Sequence, residues 1–221
     1  MLMKKSAEES SRNHVLDHVG FRKNGLSRLY PKRQQGVWRR DAYSISGCLL
    51  LQGAREGYQL RCDLAFITHC HPLGYQSADA LAMIVAFILQ GFAIDESVSR
   101  VIAFLLEKGC KEMVDCLQNA VNNAAKGPEY PNALSFLGQG WVGEEAVAIA
   151  VWAALVCPKD LKGAVVRVVN HSGDSDSTGA VCGYIVGAAL GEEAIPKEWL
   201  AHLELKSILV SQAEKLVSLI Q

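Results

Sequence analysis

The sequence contains no unbroken apolar run approaching the roughly 18 residues that would cross a bilayer, although half of its 221 residues are hydrophobic. Its opening, MLMKKSAEESSRNH, has a basic pair with no apolar stretch behind it, so the pattern of a secretory leader is missing as well. Neither membrane insertion nor secretion is expected. The seven cysteines (Cys48, Cys62, Cys70, Cys110, Cys116, Cys157, Cys182) include no CxxC pair. An odd number of cysteines, set mostly inside apolar helical patterns, suits free thiols acting as small hydrophobes in a reducing cytoplasm. Strand-like alternation is nearly absent too. From Arg55 onward apolar residues recur at the helical period, which predicts an all-α fold.

A 24.0 kDa chain with 20% charged residues has material for one sizeable core. Its formal net charge of −1 conceals two unlike regions. Residues 1–47 hold ten Lys and Arg against four Asp and Glu, a net of +6, and residues 48–221 carry −7. The first region has no sustained helical period and no face that could join a core. A basic arm touching nucleic acid is one reading of it. The second region predicts helices over 55–67, 75–90, 95–108, 110–125, 143–156, 160–170, 178–190 and 197–220. In the third of these, acids follow Asp95 in the first turn and Lys108-Gly109 closes the helix, which suits the macrodipole and a left-handed stop.

The stretch VVNHSGDSDSTGAVCGYIVGAALGEEAIPKEWL carries the most chemistry. Asp174 and Asp176 stand one residue apart in a Gly- and Ser-rich turn, and carboxylates so placed repel unless a cation or hydrogen-bond donors lie between them. Asp174, Asp176 and the Ser177 hydroxyl supply the oxygen donors that Mg²⁺ prefers, with water completing the shell. A plain N-cap for the following helix is the competing explanation. Behind the turn, Gly179, Gly183, Gly187 and Gly191 recur every fourth residue, and each interior Gly weakens a helix by roughly 1 kcal/mol relative to Ala. The expectation is a central helix whose glycine ridge lets another backbone approach closely and holds the acidic turn rigid.

These residues resemble the ADP-ribosylglycohydrolase family, whose C-terminal signature reads G-D-[ST]-D-[ST] followed by a Gly/Ala helix. Two further blocks extend the resemblance from about Gly53 to Trp199. LAFITHCHPLGYQ is similar to the T-H-x-H-P segment along the family's substrate cleft, and LGQGWVGEEA is similar to its L-G-x-G-W-x-x-E-E-A block. The resemblance implies a compact orthogonal helical bundle, truncated at its N-terminal side, and a pair of Mg²⁺ ions beside the ribose of ADP-ribose. It implies Asp174, Asp176 and Ser177 as metal ligands. Thr68, His69, His71, Gly138, Gly140, Trp141 and Gly173 are the implied substrate-binding residues, and no catalytic residue is assigned. The implied partners are ADP-ribose or an ADP-ribosylated protein, with no membrane or nucleic acid. His69 and His71 lack a third soft ligand at zinc spacing. Glu144 and Glu145 open a predicted helix, where capping and catalysis both remain readings. Trp141 is read as a wall or core residue.

The family's remaining ligands lie in an N-terminal T-D-D-T type motif behind a G-D-x-x-G helix, and neither is present. An incomplete metal site, weakened or lost activity, and self-association through exposed apolar surface are therefore expected. A non-catalytic ADP-ribose-binding remnant is the alternative. The family also carries a segment like S-K-G-C-G-x-V-M-R-x-A where this chain has QQGVWRRDAYS. Codons for that stretch read one base later permit SKGCGAVMRIA, and those for SSRNHVL permit RPGTTCL. Residues up to about Ser46 are accordingly expected to be translated out of frame, with the family frame resuming near Cys48. The genomic nucleotide sequence tests this.

Overall fold

The computed structural model describes residues 57–66, 69–127 and 133–218. The segment over 1–47, its charge and its reading frame lie outside the described residues, as does Thr68. Among the described residues there are nine α-helices and no strand, in keeping with the all-α expectation. They are α1 (Tyr58–Phe66), α2 (Pro72–Leu89), α3 (Ile94–Glu107), α4 (Lys111–Ala124), α5 (Gly143–Val156), α6 (Leu161–Val169), α7 (Ser175–Leu190), α8 (Lys197–Ala201) and α9 (Lys206–Ser218). Short 3-10 turns at Ala133–Phe136 and Glu192–Ala194 join some of them.

The bundle is organised around α5. Its sequence, GEEAVAIAVWAALV, has no polar stripe beyond its first turn, and every residue from Ala146 to Ala154 is buried. A helix that is apolar all round must be surrounded. Accordingly α5 packs against α2, α3, α4, α6 and α7. The second long apolar helix is α2, which packs against α1, α3, α4, α5 and α7. Among the described residues it alone is long and apolar enough to cross a membrane, but 67% of that stretch is inside the bundle. It also carries Asp79, fully buried and ion-paired with Arg61 of α1. That is the pattern of a core helix. Cys62, Cys110 and Cys182 are buried free thiols, as the apolar surroundings suggested.

Helix ends follow local chemistry. Pro72 occupies the first turn of α2, and His71 Nδ1 accepts the Leu73 N–H at 3.3 Å, so this helix begins three residues before the expected start. The Asp160 carboxylate accepts the Gly163 N–H at 2.8 Å and starts α6. Helix α3 starts at Ile94, placing Asp95 and Glu96 inside the first turn, and Gly109 stops it with φ +75°. The predicted helix over 197–220 is broken. Leu205 takes a left-handed φ of 57° between α8 and α9, and the intervening residues contain no Gly or Pro that would announce it.

The glycine ridge of α7 corrects a second expectation. A Cβ added at Gly179 would lie 2.7 Å from Val169 Cγ1, which is a close approach to a side chain. At Gly183 and Gly187 a Cβ would meet nothing within 4 Å among the described residues, and Gly191 ends the helix with φ +75°. The packed face of α7 is the opposite one, built by Val181, Cys182, Ile185 and Val186 against α2, α5 and α6.

Candidate functional site

The three sequence blocks meet where the N-termini of α2, α5 and α7 converge. The Gln139 carbonyl accepts the Asp174 N–H at 2.8 Å, joining the loop before α5 to the loop before α7. His71 caps the head of α2, and Glu144 lies in the first turn of α5, which packs against α2. Three helix N-termini at one place concentrate unpaired backbone N–H groups and positive dipole ends.

The loops interlock through glycine. A Cβ at Gly173 would sit 1.8 Å from the Gln139 carbonyl oxygen, and one at Gly140 would sit 2.6 Å from Thr178 Cγ2. Gly140 also has φ +79°, which only glycine adopts cheaply. These two glycines, expected to border a substrate, are required first by loop-to-loop contact. Gly138 is likewise pressed against Glu145, whose Cδ would be 2.3 Å from its added Cβ.

Glu145 sits three residues into α5 and reaches back. Its Oε2 accepts the N–H groups of Gln139 and Gly140, each at 3.0 Å, and so clamps the preceding loop. A loop clamp, rather than a helix cap, accounts for Glu145. Glu144 differs: it is buried, its Oε2 lacks a hydrogen-bond partner, and burial raises its carboxyl above the usual range. Trp141 is an exposed residue outside the core, and its indole N–H donates to Gln139 Oε1 at 3.1 Å. His69 is buried under the first turn of α2, where an added Cβ at Gly74 would fall 2.9 Å from His69 Cβ.

The acidic turn is part of the helix rather than ahead of it. Asp174 is the N-cap of α7 and Asp176 lies in its first turn. The Asp174 carboxylate accepts the Ser177 N–H at 3.4 Å, a long cap bond, so the capping explanation holds without excluding a second role. Burial, followed by a hydrogen bond to Asp176, pushes the Asp174 carboxyl up, while the Ser177 hydroxyl and N–H pull it down. Asp176 and Ser177 thus both act on Asp174. Two carboxylates that compete for one proton are a donor set a hard cation would relieve. Among the described residues, however, no group of three or more His, Cys, Asp or Glu gathers at one point.

Two residues here escaped the sequence reading. Gly173 N–H donates to His171 Nδ1 at 3.0 Å, so His171 Nε2 carries the proton and faces Thr178 Oγ1 at 3.0 Å. The Thr178 hydroxyl, fully buried, donates onward to the Val168 carbonyl at 2.7 Å. This relay ties the acidic turn to the end of α6. Both residues stand in the quoted stretch, but their value depends on a fold that brings α6 beside α7. A cavity of about 760 Å³ opens alongside, with Gly138, Gln139, His171 and Ser172 in its wall. Asp174, Asp176 and Ser177 are not among its lining residues.

The family model for ADP-ribosylglycohydrolase matches residues 42–221. An uncharacterized protein of Archaeoglobus fulgidus is 28% identical over 155 residues, covering 70% of this chain and 49% of that protein. The ADP-ribosyl-[dinitrogen reductase] glycohydrolase of Rhodospirillum rubrum is 42% identical over 45 residues, covering 20% of this chain and 15% of that protein. The chain thus spans about half the length of the first of these relatives and matches a smaller share of the second.

Proposed function

Because this chain belongs to the ADP-ribosylglycohydrolase family, we propose that the junction of α2, α5 and α7 is part of a site that hydrolyses the bond linking ADP-ribose to a protein or a small conjugate. The observation that carries the reading is the placement of Asp174, Asp176 and Ser177 in one helix-opening turn, held by the Gln139–Asp174 bond and the His171–Thr178 relay. Asp174, Asp176 and Ser177 would hold Mg²⁺. When bound, the ion would supply charge to orient ribose hydroxyls and polarise a leaving group or water. The chain's own residues fix the carboxylates, offer the exposed Trp141 as a wall and present the convergent helix N-termini to an anionic substrate. The family resemblance adds Thr68, His69 and His71 as substrate-binding residues.

Two carboxylates and a hydroxyl form a sparse set for a pair of divalent ions, so the reading includes weak Mg²⁺ affinity and slow turnover by this chain. The experiment is release of ADP-ribose from an ADP-ribosylated protein, with Mg²⁺ and with EDTA. Mg²⁺-dependent release that Asp176→Asn abolishes supports the hydrolase. The sparse donor set also favours a second reading, an ADP-ribose-binding module: saturable ADP-ribose binding with no release would select it. Neither binding nor release would remove both.

A further inference from the structure

The acidic turn is fastened to the rest of the bundle by an imidazole whose two nitrogens have different tasks. His171 Nδ1 accepts the Gly173 N–H at 3.0 Å, and a backbone N–H can only donate, so Nδ1 must carry a lone pair. Nε2 then bears the proton and donates to Thr178 Oγ1 at 3.0 Å, while the Thr178 hydroxyl donates its own hydrogen to the Val168 carbonyl at 2.7 Å. One tautomer of the neutral ring satisfies all of these bonds. An imidazolium, by contrast, offers two donors and no acceptor. Gly173 has no room to turn away from it. An added Cβ there would lie 1.8 Å from the Gln139 carbonyl oxygen, and the next residue, Asp174, donates its N–H to that same oxygen at 2.8 Å. His171 is half-buried and stands in the wall of the open cavity, so a proton from solvent can reach it.

We propose that His171 is a proton-operated latch on the acidic turn. In the neutral ring the latch is shut, joining Gly173 to Thr178 and so to the end of α6. A second proton, taken up at Nδ1, removes the acceptor for the Gly173 N–H and sets two N–H groups against each other. The turn carrying Asp174 and Asp176 then comes loose from α6. The titratable and charged side chains around the latch are Arg167 on α6, Asp174 and Asp176 on α7, Glu144 and Glu145 on α5 and His71 at the head of α2. The carboxylates and His71 also respond to acid, so the part of His171 is isolated by a substitution that keeps the acceptor and removes the titration. His171→Asn does this, because the amide oxygen replaces Nδ1 as acceptor. The latch rests on these hydrogen bonds and needs neither a metal nor hydrolysis.

The test is heteronuclear NMR on the full chain in EDTA, without substrate. The imidazole nitrogens and the Gly173 amide are followed from about pH 8 to about pH 5, the range in which imidazole side chains change charge. At the upper end His171 Nδ1 is expected without a proton and Nε2 with one. As the ring takes up its second proton, protection of the Gly173 amide against exchange should fall at least about tenfold, at the same midpoint. In His171→Asn the protection should persist to the lower end, and in His171→Ala it should be lost at every pH. The proposal is overturned by an Nδ1–H tautomer, by a ring that takes up no proton in this range, or by a ring that titrates while Gly173 protection stays constant. The same acid loss in His171→Asn would also overturn it, assigning the effect to the carboxylates or to His71, as would retained protection in His171→Ala. The unsubstituted chain alone decides the first three outcomes, so the test holds even where a variant fails to fold. Release of ADP-ribose plays no part in the readout, so the latch and the hydrolase reading can fail separately.

Discussion

Two pairs of charged side chains in this bundle are treated in opposite ways. Arg61 and Asp79 meet inside the core, both about 1% exposed or less, with unlike charges in contact. Asp174 and Asp176 meet at the head of α7, half-buried and exposed respectively, with like charges in contact. The first pair is matched from within the protein, and removing either member strands the other. The second gathers like charges at a helix N-terminus, where the positive dipole end favours them. Opposite charges are paired in the core, and like charges are gathered at the rim.

The comparison breaks most visibly at the buried pair. Asp79→Ala should cost about 3–5 kcal/mol in urea unfolding, because it leaves a guanidinium buried without its counter-charge. A loss under about 1 kcal/mol would mean the pair is wet. Acidity sharpens the same point. Burial outweighs Arg61 and pushes the Asp79 carboxyl from 3.8 to about 6, so the folded chain holds this proton more tightly than the unfolded chain. The stabilisation is full below about pH 4 and is lost as pH rises through about 6, on the order of 3 kcal/mol. Asp174 and Glu144, also raised, act in the same direction. Unfolding followed from pH 4 to pH 7 should show this fall, and Asp79→Asn should flatten most of it.

A smaller effect is expected at the loop that carries the mismatched pair. Gly173→Ala forces its Cβ toward the Gln139 carbonyl and should cost about 1–3 kcal/mol, with loss of any Mg²⁺ response. Mg²⁺ near its dissociation constant should raise stability by under about 1 kcal/mol, seen as a small rise in Tm. Asp174→Asn and Asp176→Asn should erase that rise. In EDTA, Asp176→Asn should shift stability by less than about 0.5 kcal/mol, since it removes repulsion as well as charge at the dipole. Greater destabilisation would assign Asp176 to the fold.

Much of the architecture was legible because helical periodicity reports burial directly. The span of α5 is the expected one, since its apolar run begins and ends sharply. The start of α2 was misplaced because its cap is a histidine, outside the usual capping residues. The break at Leu205 has no local signal, and α9 makes few contacts that would define it, leaving Leu205, Ile208 and Leu209 exposed. This apolar surface is the element relevant to the expected self-association, which concentration-dependent sedimentation would test.

At the site, oxygen-bearing residues at close spacing could be read from Asp174 to Ser177. The clamp by Glu145 and the relay through His171 and Thr178 could not, because the first depends on how the preceding loop folds back onto the helix and the second on a neighbouring helix. The glycine ridge was misread for a related reason. Periodic glycine records where side chains are missing, but only the packing of α7 tells which side its neighbours occupy.

The loops ahead of α5 and α7 mesh like gear teeth, with Gly140 against Thr178 and Gln139 bonded to Asp174. Sliding or tilting of one axis past the other must carry the carboxylates with it. A volume change at Ile149 or Ile185, deep in the interior and remote from any ligand, should therefore alter cation affinity and thermal stability together, making a silent core replacement a tuning knob for chemistry at the rim.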